Sequence, residues 1–127
     1  MSQSKKVVLI VDDEPDTCTY FSTILQDNGY ETVIAYDGAD GRAKLEEAVP
    51  DLVTLDITMP EKSGVRLYRE MKESDQWKNV PVIIVTGVSG DFEKFISTRS
   101  QVPPPEGYMA KPIDPDEFLK IAKELTS

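Results

Sequence analysis

The 127-residue chain contains no histidine and a single cysteine, and these absences remove two large classes of chemistry. Without imidazole there is no His-based acid–base catalysis and no His-ligated zinc, and Cys18 alone forms neither an internal disulfide nor a thiolate metal site. Basic residues are also scarce, since 14 Lys and Arg stand against 23 Asp and Glu for a net charge of −9. Nucleic acid and anionic membranes are polyanions and do not suit such a chain as direct partners. A basic protein surface or a bound cation suits it better, and with these donors the cation must be a hard one held by oxygen. The polar opening, residues 1–6, lacks the apolar core of a signal peptide, so a cytoplasmic location is expected. The length fits one domain, residues 1–127, that buries roughly two-thirds of its unfolded surface; no separate output domain is expected.

Apolar blocks and amphipathic segments alternate along the chain. Val7 to Val11 is a continuous β-branched run, the pattern of a strand buried on both faces of a parallel sheet. Pro15 suits the first position of a following helix, with Asp13 or Glu14 as cap; Cys18, Phe21, Ile24 and Leu25 recur at helical spacing until Asn28 and Gly29 stop it. Thr32 to Ala35 reads as a more polar strand. Ala39, Ala43 and Leu45 mark a weaker helix that ends before Pro50, and Leu52 to Leu55 is a third strand. After the turn-rich Pro60 to Gly64 come a helix carrying Val65, Leu67, Tyr68 and Met71 and the apolar strand Val82 to Val85. Asp91 should cap a helix with Phe92, Phe95 and Ile96 on one side, Tyr108 to Ala110 fits a short fifth strand, and Asp114, Pro115 and Glu117 open a last helix by the capping-box pattern. Cys18 should pack in the core and Trp77 should anchor the loop before the fourth strand.

Strands alternating with helices imply an α/β fold: one doubly wound, five-stranded parallel sheet, flavodoxin-like, covered on both faces. The most apolar strands belong in the centre, giving the order 2-1-3-4-5. Ligands then bind beyond the carboxyl ends of the strands where the order reverses, between the first and third. Asp12, Asp13, Asp56, Thr86 and Lys111 each follow directly on a strand, so this fold gathers three carboxylates, a hydroxyl and an ammonium at one edge. Crowded carboxylates repel unless a cation sits among them. Mg²⁺ relieves that repulsion with oxygen ligands, Asp56 is placed to attack a phosphoryl group, and Lys111 and Thr86 can hold phosphoryl oxygens. Each residue alone has a plainer role: the acids Asp12 to Asp16 at a helix N-terminus, Asp56 in a turn, Thr86 at a strand end, Lys111 solvated. Their common placement favours the site.

Val11-Asp12-Asp13-Glu14, Asp56-Ile57-Thr58-Met59-Pro60 with Gly64, Thr86-Gly87 and Lys111-Pro112 resemble, in order and placement, the receiver domain of response regulators in two-component signalling, the family of the chemotaxis regulators. That resemblance implies a phosphoacceptor at Asp56, served by a histidine kinase or phosphotransfer protein. It implies Mg²⁺ held by Asp13, Asp56 and the backbone carbonyl of Thr58, with Asp12 acting partly through water, and a cis Lys111–Pro112 bond. Thr86 would move toward the phosphoryl group and Tyr108 would turn inward, reshaping a face that binds a downstream protein. Such a switch is not an enzyme on outside substrates; it catalyses its own phosphoryl transfer and dephosphorylation.

Two features depart from the family pattern. The small residues usual before the fifth strand are replaced by Val102 to Gly107 with three consecutive prolines, and Ile113 stands where Phe is frequent. Prolines stiffen this approach to the output face and disfavour the ordinary homodimer through it, so a monomer is expected, with a phosphorylation-dependent dimer as the alternative. Two other functions remain open: a constitutive binding module with the same fold, and a phosphohydrolase, which would want a second acid two residues after Asp56, where the chain has Thr58.

Overall fold

Five parallel strands form the centre of the molecule, β1 (Val7–Val11), β2 (Glu31–Ala35), β3 (Leu52–Asp56), β4 (Val82–Thr86) and β5 (Gly107–Ala110), in the expected spatial order β2-β1-β3-β4-β5. The computed structural model describes residues 5–59, 63–87 and 105–127. Within these lie four helices, α1 (Pro15–Gln26), α2 (Gly38–Glu47), α3 (Ser63–Glu73) and α4 (Pro115–Thr126). Pro60, Val88, Pro103, Pro104 and the helix expected from Asp91 with Phe92, Phe95 and Ile96 lie outside the described residues.

Period-two alternation along each strand divides the core in two. Leu9 and Val11 of β1, Val53 and Leu55 of β3 and Val82 and Ile84 of β4 join Leu45 of α2 and Leu67, Tyr68 and Met71 of α3 on one face. Val8 and Ile10, Leu52, and Ile83 and Val85 join Cys18, Phe21 and Leu25 of α1 and Phe118 and Ala122 of α4 on the other. The continuous apolar runs follow from this, because every residue of β3 and β4 is covered by helices. Each fully buried aliphatic side chain contributes about 1.5–3 kcal/mol. Phe21 and Phe118, ring centroids 5.1 Å apart, join α1 to α4. Cys18 is fully buried, and Trp77 is buried in the α2–α3 core ahead of β4, as expected.

Element ends differ from the sequence reading in specific ways. β3 and β4 each run one residue further and include Asp56 and Thr86. The ladder continues there: Ile57 N–H donates to the Val85 carbonyl at 3.1 Å and Lys111 N–H to the Thr86 carbonyl at 2.8 Å. β2 begins at Glu31 and β5 at Gly107, and α2 ends at Glu47. Gly29, at φ 91°, stops the chain after α1 in the left-handed region where glycine is favoured. Asp114 caps α4 by accepting from Asp116 N–H.

One tie was not legible from the sequence. The Lys72 side chain is 3% exposed, and its ammonium lies 3.4 Å from the carbonyls of Lys78 and Val80 and 3.2 Å from Glu106 Oε2. Glu106 Oε1 in turn accepts from Val82 N–H at 2.8 Å, at the start of β4. A carboxylate thus stands beside the first β4 amide on the strand's β5 side and is neutralised by a buried lysine, which ties β5 to α3. Removing one partner leaves an uncompensated charge. Glu106→Gln, which strands a buried ammonium, is expected to cost about 2–4 kcal/mol, Lys72→Met, which leaves a carboxylate 37% exposed to water, less, and the double variant less than their sum, in urea unfolding. Additivity within about 0.5 kcal/mol would show that the pair does not act as a unit.

Candidate functional site

The carboxyl ends of β1, β3, β4 and β5 open on the same side of the sheet, and the polar residues singled out from the sequence stand there. Asp12 and Asp56 are almost wholly buried, at 1% and 2% exposure, while Asp13 is exposed. Carboxylate oxygens of Asp12, Asp13 and Asp56 all lie within 4.8 Å of one another. Lys111 approaches from the loop after β5, its Nζ 2.9 Å from Asp12 Oδ2 and 3.2 Å from Asp56 Oδ2. The Lys111–Pro112 bond is cis. Thr86 is fully buried at the end of β4. A Cβ added to Gly87 would lie 3.8 Å from Thr58 Oγ1 and 3.9 Å from Lys111 Cδ, so this glycine borders the same crevice. Tyr108 is half-buried against the α2–α3 core.

Short hydrogen bonds orient the two buried acids. Thr58 donates twice to Asp56 Oδ1, from its backbone N–H at 2.8 Å and its hydroxyl at 2.6 Å. Glu14 N–H donates to Asp12 Oδ1 at 2.9 Å. The backbone supports this closely: a Cβ on Gly64 would run into the Asp56 carbonyl oxygen, so the start of α3 packs directly against the end of β3. The sequence reading did not anticipate the hydroxyl bond from Thr58 to Asp56, a two-residue side-chain contact that no periodicity signals. A cleft of about 520 Å³ between α2 and α3 reaches Asp13 but none of the other four residues.

The electrostatics follow from crowding in a low-dielectric place. Burial raises the Asp12 pKa above the usual carboxylate range; the Lys111 ammonium and the Glu14 N–H oppose this, and the nearby Asp56 charge adds to it. Burial would lower the Lys111 pKa, but its hydrogen bond and charge contacts with Asp12 and Asp56 outweigh burial and hold it above its ordinary value. Lys111 therefore stays charged and is a partial counter-ion to the acids. A small hard cation fits the remaining donors: three clustered carboxylates, one pushed by burial toward its neutral form, are the set Mg²⁺ prefers. Asp12, Asp13 and Asp56 are the carboxylates that could hold it.

Beneath the site, the Cys18 thiol donates to the Asp12 carbonyl at 3.3 Å. Burial first, and then the Asp12 charge, raise its pKa from 9.0 to about 11.

Two measurements test this geometry. Gly64→Ala should destabilise by about 1–3 kcal/mol in urea unfolding, whereas Gly87→Ala, with no contact under 3.8 Å among the described residues, should change stability by less than about 0.5 kcal/mol; equal effects would contradict the packing. Cys18 ionises less readily folded than unfolded, so its contribution to stability is complete below pH 9 and lost as the pH rises toward about 11. Iodoacetamide at pH 8 should accordingly leave the native thiol unmodified and alkylate it in denaturant.

Comparison with known proteins agrees with this geometry. The sequence profile of the response regulator receiver domain matches residues 8–123. The chain is 32% identical over 120 residues to the polar-differentiation response regulator DivK of Brucella anthropi, covering 93% of this chain and 94% of that one. It is 32% identical over 113 residues to protein PilH of Pseudomonas aeruginosa, covering 89% and 91%. Among solved structures, a CheY-like receiver domain protein of Methanospirillum hungatei superposes with a TM-score of 0.81 at 31% identity, covering 96% of this chain and 94% of that one. The chemotaxis regulator CheY4 of Vibrio cholerae gives 0.82 at 28%, covering 96% and 99%.

Proposed function

The chain belongs to the response regulator receiver family, and from that we propose that it is a Mg²⁺-dependent phosphorylation switch whose acceptor is Asp56. Receivers are signalling switches of two-component systems that work with histidine kinases or phosphotransfer proteins and with downstream targets. The observation that carries the assignment of Asp56 is its place: 2% exposed at the end of β3, within 4.8 Å of two further carboxylates and 3.2 Å from an ammonium.

In the proposed step an Asp56 carboxylate oxygen bonds to phosphorus as the donor's phosphorus–nitrogen bond breaks. The bonding pair leaves on the donor imidazole, which departs neutral if its other nitrogen is protonated. Mg²⁺, when bound, supplies charge neutralisation that lets one anion approach another. Lys111 takes one phosphoryl oxygen, and Thr86, beside Gly87, donates its hydroxyl to another. Thr58 holds the acceptor carboxylate in place beforehand through its two bonds to Oδ1. Water attack on phosphorus later breaks the bond to Asp56 and restores the carboxylate.

Rearrangement of Thr86 is the proposed link to Tyr108, the half-buried aromatic of β5, whose inward turn reshapes the surface offered to a downstream protein. A few kcal/mol of preference for that arrangement moves a minor state to dominance. The acidic composition, with a net charge of −9, supports a protein partner over nucleic acid or an anionic membrane, and the exchange is placed in the cytoplasm as part of the same proposal. No helix among the described residues is long and apolar enough to cross a membrane. Thr58 donates a hydroxyl into Asp56 at the position where a phosphohydrolase would need a second acid, which favours the switch over hydrolysis of outside substrates.

Incubation with acetyl phosphate and Mg²⁺ should add one phosphoryl group, stable in acid and labile in base. The increment should vanish in Asp56→Asn and when Mg²⁺ is chelated. An increment that survives in Asp56→Asn would place the acceptor elsewhere.

A further inference from the structure

Glu14 stands at the N-cap position of α1, yet its side chain makes no capping hydrogen bond. A carboxylate at a helix N-terminus is ordinarily held by the first backbone N–H groups. Here Oε1 turns away and reaches Lys111 Nζ at 3.3 Å, across a separation of 97 residues. Attraction to a largely buried ammonium has outweighed the cap.

Lys111 consequently serves three acids at once, Asp12 at 2.9 Å, Asp56 at 3.2 Å and Glu14 at 3.3 Å. Two of its three N–H donors make hydrogen bonds, to Asp56 and Glu14, and Asp12 faces it as an ion pair. A phosphoryl oxygen on Asp56 would compete with Glu14 for the attraction of this ammonium. The side chains of Asp12 and Asp56 are 2% exposed and that of Glu14 is 64% exposed. Glu14 is also the most distant of the three, and water can replace Lys111 as its partner at little loss.

Resting on Asp56 as the phosphoacceptor, we propose that Glu14 is a positioning residue that holds Lys111 in its resting place and acts as a brake on phosphorylation. The Glu14 contact draws the ammonium toward the mouth of the crevice, and the transferred group gains its full lysine contact only as that pull is relaxed. The Glu14 carboxylate also adds negative charge at the mouth of the crevice, which opposes an anionic donor. Both effects act in the same direction and both are electrostatic. The scale for an exposed pair corresponds to a two- to fivefold change, or about 0.4–1 kcal/mol.

The test compares initial rates of phosphorylation by acetyl phosphate at saturating Mg²⁺ for the wild type, Glu14→Gln and Glu14→Asp. Glu14→Gln should be phosphorylated about two- to fivefold faster at low salt, with the difference fading near 1 M salt, where the screening length is about 3 Å. Glu14→Asp keeps the charge at the mouth but is one methylene shorter, so its rate should lie between the wild type and Glu14→Gln if contact with Lys111 is part of the brake. A Glu14→Gln rate equal to or below the wild type overturns the proposal, and so does a Glu14→Asp rate equal to the wild type, which would leave only diffuse charge. Absence of the phosphoryl increment in every protein would instead overturn the assignment of Asp56. A gain in rate that persists at high salt also counts against Glu14, since a packing change would not be screened.

Discussion

Two carboxylates, Asp12 and Asp56, end adjacent parallel strands and are almost wholly removed from water. Like charge at one point in a low-dielectric edge has to be balanced, and much of the architecture around it does so. Lys111 arrives from the far strand to face both acids. Backbone and hydroxyl donors from Glu14 and Thr58 satisfy the other carboxylate oxygens. Asp13 adds a third acid from the exposed side, which makes the cluster a place for a divalent cation. A chemically quiet edge would have none of these; this one holds opposing charges ready for a group that carries more of both kinds of contact.

The fold makes that balance possible through close approach. Gly64 lets α3 begin against the Asp56 carbonyl, and Gly87 leaves room beside Thr58 and Lys111. Two apolar cores, one on each face, hold β1 and β3 so firmly that the acids at their ends have little freedom to relax apart. β5 carries both Tyr108 and the approach to Lys111, and in the proposed function it is the element that would carry a change away from the site. The tie from Lys72 through Glu106 to Val82 sets the start of β5 at the opposite end of the sheet. Tyr108 thus stands between an anchored strand start and a charged strand end.

Much of this was legible in the amino-acid order. Strands such as Val7–Val11 and Val82–Thr86 announce themselves because burial on both faces demands unbroken apolar runs, and that same demand placed them centrally in the sheet. Once the order was known, chain connectivity alone carried Asp12, Asp13, Asp56, Thr86 and Lys111 to one edge. Helix stops at Asn28 and Gly29 and the cap at Asp114 followed from local backbone chemistry.

What the tertiary structure decided are the partnerships between residues distant in sequence. Glu14 has the appearance of a helix cap until Lys111, 97 positions away, competes for it. Lys72 looks like an ordinary surface lysine of an amphipathic helix until the chain before β5 folds Glu106 over it. The extra strand residues Asp56 and Thr86 depend on ladder bonds from neighbouring segments. Periodicity and capping report how a segment meets water and its own backbone, so they fix elements and their order. Which of several nearby opposite charges a long flexible side chain chooses depends on distances of a few ångströms and on burial, and those exist only once the sheet has brought the segments together.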